Sequence, residues 1–138
     1  MLQDSPVPRP DRQEIAAIAA GGAAGALLRV ALARSYAPGP GSWPWVTFAV
    51  NLVGASLLGY FVTRLQERLP LSAYRRPLLG TGFCGALTTF STMQLELLRM
   101  VDRHHYGLAL GYAAASLVAG YACVHVATAV VRRVRVVA

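Results

Sequence analysis

Three long stretches of this chain carry no charge: between Arg34 and Arg64, between Arg76 and Glu96, and between Arg103 and Arg132. Each is long enough for the roughly 20 residues a helix needs to cross a bilayer. A fourth apolar stretch, Ile15 to Tyr36, is interrupted only by Arg29 and Arg34. The pattern predicts an all-α membrane protein with four transmembrane helices near residues 15–36, 44–63, 77–98 and 107–131. Residues 1–14, polar and Pro-rich, are expected to be a disordered tail, and 132–138 a short basic one. Charged residues make up 14% of the chain, against about 25% in soluble domains. Little chain is left for a soluble catalytic domain, so an enzyme is not expected. Nor does the first apolar stretch read as a cleaved signal peptide. Its glycines fall inside the apolar region, and three further spans need a partner helix.

The net charge of +7 comes from arginine alone, since there is no lysine. The arginines flank the apolar stretches, the usual membrane pattern, so nucleic acid is not expected as a partner. Without lysine there is no phosphate-binding P-loop. Cys84 and Cys123 fall within predicted spans and read as small buried hydrophobes. His104, His105 and His125 have no companions at metal-ligand spacing. Ser91 and His125 show no protease pattern.

Small and polar residues organise the spans. Gly21 and Gly25 form a GxxxG pair repeated by Gly22 and Ala26, a surface for close helix approach. Trp43 and Trp45 suit an interfacial aromatic belt. Thr47 and Asn51 lie four apart and share a helix face, either as interhelical glue or as the lining of a polar path. Tyr112, Ser116 and Gly120 repeat that spacing, and Ser116 alone would ordinarily bond back to its own helix.

The segment "GTGFCG", Gly80 to Gly85, matches GxGxxG but lies inside an apolar span, where a dinucleotide fingerprint has no strand to follow. It reads instead as a helix weakened by glycine and broken near mid-span, close to Leu87 and Thr88. Thr88, Thr89, Ser91 and Thr92 crowd together just there, with Phe90 among them. Irregular backbone at membrane depth persists only when buried in protein or lining a polar cavity, and broken helices are a transporter and channel device. No Asp or Glu lies centrally in a span, which disfavours a cation path. The donors present are Asn51, Thr47, Ser116, the hydroxyl cluster and Arg29. With the positive ring edge of Phe90, they suit an anion. Four helices are too few to enclose a pore alone, so at least a dimer is expected.

"GGAAGALLR", "NLVGASLLG" and "GFCGALTTFST", in this order, resemble the Fluc (CrcB) family of fluoride channels from about Gly21 to Gly120. The resemblance implies a passive fluoride exporter of the bacterial plasma membrane, built as an antiparallel, dual-topology dimer with two pores. It implies a structural, non-transported Na⁺ held by the carbonyls of Gly85 and Thr88. It places Asn51, Phe90, Thr47, Ser116 and Tyr112 on the fluoride path, with Arg29, Glu96, Thr89 and Ser91 in support. Met93 stands where the family has its second pore phenylalanine. Nine arginines (9, 12, 64, 68, 75, 76, 132, 133, 135) flank one side and three (34, 99, 103) the other. This imbalance favours one orientation with both termini cytoplasmic, leaving a homodimer and a heterodimer with an oppositely oriented homologue both open. The rival readings are a small multidrug-type or other proton-coupled transporter subunit, which lacks its central carboxylate here, and a non-conducting heterodimer partner.

Overall fold

The computed structural model describes residues 11–35, 39, 41–67 and 74–134. All of its regular structure is helical. Helix α1 is Arg12–Ser35 and α2 is Trp45–Glu67. Helix α3 is π-wound over Pro77–Cys84 and runs on into one α-helical turn, Gly85–Leu87. Helices α4 and α5 are Phe90–Asp102 and Tyr106–Arg133.

Three helical stretches, Arg12–Ser35, Trp45–Leu65 and Tyr106–Arg133, are long and apolar enough to cross a membrane. The expected span 77–98 is not one helix of that length. Thr88 and Thr89 are extended, and they divide it into α3 and α4, each too short to cross alone.

Two expected boundaries shift for local reasons. The helix begins at Arg12, inside the predicted 1–14 tail, because the Asp11 carboxylate caps it by accepting the Gln13 N–H at 3.0 Å. The other Asp11 oxygen accepts from the Tyr74 hydroxyl at 3.1 Å, which ties the start of α1 to the turn before α3. That bond, foremost among its causes, holds the Tyr74 phenol above its ordinary range. Helix α5 continues to Arg133, with Arg132 and Arg133 in its last turn, where cations complement the helix dipole. Residues 1–10 and 135–138 of the two predicted tails lie outside the described residues.

Backbone contact joins α1 to α3. A β-carbon on Gly21 would collide with the Leu78 carbonyl, and one on Gly25 with the Phe83 carbonyl. Gly82 presses from the other side, against Ile18 and Gly22. The glycines of "GTGFCG" are expected to weaken the helix ahead of a break close to Leu87 and Thr88, and the extended residues fall at Thr88 and Thr89. Gly80 and Gly82 are buried, and the helix runs past them to Leu87. Its winding is unusual, since π-helix accounts for well under 1% of residues and tends to occur at functional sites.

Helices α2 and α5 meet at Gly59, which lies against the Val124 backbone. There the Thr63 hydroxyl donates to the Gly59 carbonyl at 2.8 Å. Helix α4 packs on α5 through Met93, Met100, Ala109 and Tyr112, with Trp43 and Phe48 closing the cluster. Trp43 meets Tyr112 edge-on at 5.4 Å, so it belongs to this core, while Trp45 is exposed. Along α5, Leu110, Leu117, Val118, Tyr121 and Val126 face outward.

Candidate functional site

The site is built on the two extended residues. Thr88 has φ −72° and ψ 150°, and Thr89 φ −144° and ψ 106°, conformations that β-branched residues adopt readily. Each hydroxyl organises one side of the interruption. Thr88 Oγ1 donates to the Cys84 carbonyl at 3.0 Å, doubling the 3.1 Å bond from its own N–H and closing α3. Thr89 Oγ1 accepts the Thr92 N–H at 3.1 Å and donates to Thr92 Oγ1 at 2.8 Å, which caps α4. Ser91 Oγ lies 3.4 Å from the same oxygen.

Asn51 on α2 clamps the interruption from outside. Its Oδ1 accepts the Thr89 N–H at 2.9 Å, and its Nδ2 donates to the Thr89 carbonyl at 3.3 Å. One amide thus satisfies both backbone groups of a residue only 6% exposed. Of the two roles open to Asn51, the structure displays the interhelical bond. It also leaves one Nδ2 hydrogen without a partner among the described residues.

These bonds divert donors away from two carbonyls. In a continuous helix the Thr89 N–H would bond Gly85, and the Thr92 N–H would bond Thr88. Here they go to Asn51 and to the Thr89 hydroxyl. The Gly85 and Thr88 carbonyls, the pair expected to hold a cation, therefore lack their helical donors. Gly85, Thr88, Asn51 and Phe90 line a common open cavity of about 350 Å³. Phe90 is 70% exposed.

One turn further along the same α2 face, Thr47 Oγ1 donates to Glu96 Oε1 at 2.6 Å. Tyr112, fully buried, donates its hydroxyl to Glu96 Oε2 at 2.9 Å. Three expected residues from three helices thus converge, with Glu96 as their hub. Spacing marks Glu96 as the first charge after a long gap, and the resemblance places it among the supporting residues. Its pairing with residues 49 and 16 positions away is tertiary information. Tyr112→Phe removes one of the two hydroxyl donors to Glu96. The stability loss in thermal unfolding should be only about 1 kcal/mol.

Ser116 lies one turn beyond Tyr112. Its buried Oγ has no hydrogen-bond partner among the described residues, so the expected bond to its own helix is not made. Arg29 is half-buried and shares a cavity of about 270 Å³ with Thr47, Thr89, Ser91 and Thr92. Met93 parts company with Phe90. It is 8% exposed and packs inward on Tyr112 and Met100.

The arrangement combines neutral dipoles (hydroxyls, one amide and freed carbonyls) with the Glu96 carboxylate and the Arg29 guanidinium. The sequence model of the CrcB-like family (camphor resistance, CrcB) matches residues 16–128. A protein of Mycolicibacterium paratuberculosis named fluoride-specific ion channel FluC 1 is 64% identical over 91% of this chain and 96% of its own length. A protein of the same name from Mycobacterium tuberculosis is 59% identical over 94% of this chain and 98% of its own length. The fluoride-specific ion channel FluC of Caulobacter vibrioides is 39% identical over 85% and 94%. With the family pattern running from α1 into the last turns of α5, and relatives aligned nearly end to end, the chain belongs to the CrcB family.

Proposed function

We propose that this protein is a fluoride-specific channel of the bacterial plasma membrane that lowers cytoplasmic fluoride by passive export. The observation that carries the reading is the 64% identity, across nearly the full chain, to a protein named for that activity. Physical chemistry supports it. Fluoride is small and firmly hydrated, so a path for it must replace water with close donors. Asn51, through its remaining Nδ2 hydrogen, and Ser116, whose hydroxyl has no partner among the described residues, offer them, and the exposed ring of Phe90 offers a positive edge.

In this reading α3 and α4 together make one crossing, the third of four, interrupted near mid-membrane. Backbone that is not helical needs protein or water around it at that depth. The open cavity at Gly85, Thr88 and Phe90 therefore calls for a second, antiparallel subunit. The same subunit would complete a Na⁺ site around the freed carbonyls of Gly85 and Thr88. Carbonyl oxygens suit a hard cation that stays in place. Either a second copy or an oppositely oriented homologue can fill this role, with lipid around the outer faces of both. The nine-to-three arginine imbalance favours the homologue, with both termini cytoplasmic.

A second reading has one observation in its favour. Glu96, bonded by Thr47 and Tyr112, is a titratable group among membrane-crossing helices, as a proton-coupled transporter requires. Liposomes containing only this protein test the first reading. Fluoride efflux is expected with Na⁺ present and is expected to stop when Na⁺ is replaced by N-methylglucamine. Retention of fluoride under both conditions would reject the homomeric channel.

A further inference from the structure

Helix α1 packs along α3 but hardly meets α2. A groove of about 410 Å³ parts the two, walled by Leu28 and Leu32 of α1 and by Val46, Ala49 and Val53 of α2. Leu87, the last residue before the interruption, is buried at its floor. Ser35 and Trp45, the last residue of α1 and the first of α2, stand at its mouth. The Ser35 hydroxyl is committed to the Ala31 carbonyl at 2.9 Å, so the groove is apolar up to that end.

From Trp45 to Val53, α2 rises about 12 Å at 1.5 Å per residue. That is close to half of a hydrocarbon layer roughly 30 Å thick, the depth of one leaflet. The walls open outward, since Leu28, Leu32 and Val53 are exposed. At the mouth, Trp45 is exposed too, with its ring 5.9 Å from Trp43 and 6.4 Å from Phe48. Arg34, in the last turn of α1, is exposed and has no carboxylate partner among the described residues. An apolar slot one leaflet deep, below an interfacial aromatic ring and a cation, matches a lipid tail beneath its phosphate. A second copy of this chain is the other candidate, but it belongs on a different face. Asn51, Gly54, Ala55 and Leu58 line the open cavity beside Phe90 that calls for a partner subunit. Those positions lie about 140° around α2 from the groove-facing residues, at 100° per residue.

We propose that this groove binds one phospholipid, with an acyl chain laid against Leu87 and the phosphate level with Arg34 and Trp45. The chain covers Leu87 and keeps the backbone at Thr88 dry on the side away from the open cavity, where non-helical backbone needs an enclosing wall.

Trp45 reports the occupancy. In a Trp43→Phe background it is the chain's remaining tryptophan. Trp43 Nε1 is buried without a hydrogen-bond partner, so phenylalanine there removes no hydrogen bond. The full chain in detergent is titrated with phosphatidylcholine brominated near the ester end of its chains, a contact quencher of indole. Quenching should saturate, and unbrominated phosphatidylcholine should reverse it. Lipid brominated at the methyl end, about 12 Å deeper, should quench Trp45 far less. Ala49→Phe places a ring in the groove and should raise the half-saturating lipid concentration at least about tenfold. Ala23→Phe, on an exposed face of α1 outside the groove, should not. Arg34→Gln should bind more weakly at low ionic strength and match its parent at about 1 M salt, where the Debye length is about 3 Å. A ligand of the folded state stabilises it, so the unfolding midpoint should rise with added phosphatidylcholine in wild type and stay level in Ala49→Phe. Val53→Phe carries the test if Ala49→Phe is not recovered folded.

Quenching that never saturates, or that is equal in Ala49→Phe and its parent, would overturn the lipid site. Arg34→Gln binding as tightly as its parent at low salt would overturn the placement of the phosphate. Quenching present in monomer fractions and lost in dimer fractions on size exclusion would give the groove to a second copy of the chain and overturn the proposal.

Discussion

Alanine at position 51 is expected to stop fluoride efflux and to weaken the fold at the same time. Asn51 holds both backbone groups of Thr89, and that residue is buried. A buried backbone group left without a partner costs about 1–3 kcal/mol, so Asn51→Ala should lose about 2–4 kcal/mol in thermal or denaturant unfolding. Its effect on conduction should be larger than that loss implies. Without the clamp the Thr89 N–H is free to rebond Gly85, and α3 can wind onward into α4. A barrier raised by about 3 kcal/mol lowers a rate about 100-fold, and efflux should fall at least that far. Asn51→Asp separates the two effects. It keeps the acceptor for the Thr89 N–H but loses the donor and sets a negative charge beside the track. It should stay folded in unfolding assays and still block the anion. Wild-type efflux in Asn51→Ala would mean that the clamp has no part in conduction.

The largest stability effect is expected at Gly25. A valine there would drive two methyl groups into the Phe83 carbonyl and the backbone at Leu87. Nothing flexible stands in the way to give, because both neighbours are backbone. The α1–α3 contact would have to open, exposing the Gly21–Gly82 surface as well. We expect a loss of more than about 4 kcal/mol, read as failure to recover folded protein from detergent or as a collapsed unfolding midpoint. Gly111→Ala is the matched control. No atom lies within 4 Å of its added carbon, and alanine gains about 0.5–1 kcal/mol over glycine inside a helix. A tolerated Gly25→Val would show that α1 and α3 are not in backbone contact.

These two residues also mark where sequence was informative and where it was not. Long charge-free stretches located α2 and α5, and an apolar stretch interrupted only by arginine located α1, because hydrophobic length is a local property. The GxxxG pair signalled that α1 approaches something closely, but not that its partner is Gly82 on a π-wound helix. Winding depends on what the helix packs against, and nothing local in "PLLGTGFC" announces it. The interruption was legible near Leu87 and Thr88, and the chain leaves the helix at Thr88 and Thr89, where side-chain hydroxyls replace backbone bonds; Gly80 and Gly82 are buried upstream of it. Thr47 and Asn51 could be placed on one face from their spacing alone. That Asn51 grips Thr89, and that Glu96 gathers Thr47 and Tyr112, involves residues brought together only by the folded chain. Met93 is a similar case: three residues from Phe90, it turns into the core while Phe90 turns out.

The reversal potential of the purified protein in a planar bilayer under a fluoride gradient decides whether fluoride passes this track passively. The current should reverse at the fluoride equilibrium potential and stay there when a pH gradient is added. A reversal potential that moves with the pH gradient would contradict it and assign the Glu96 carboxylate to proton-coupled transport instead.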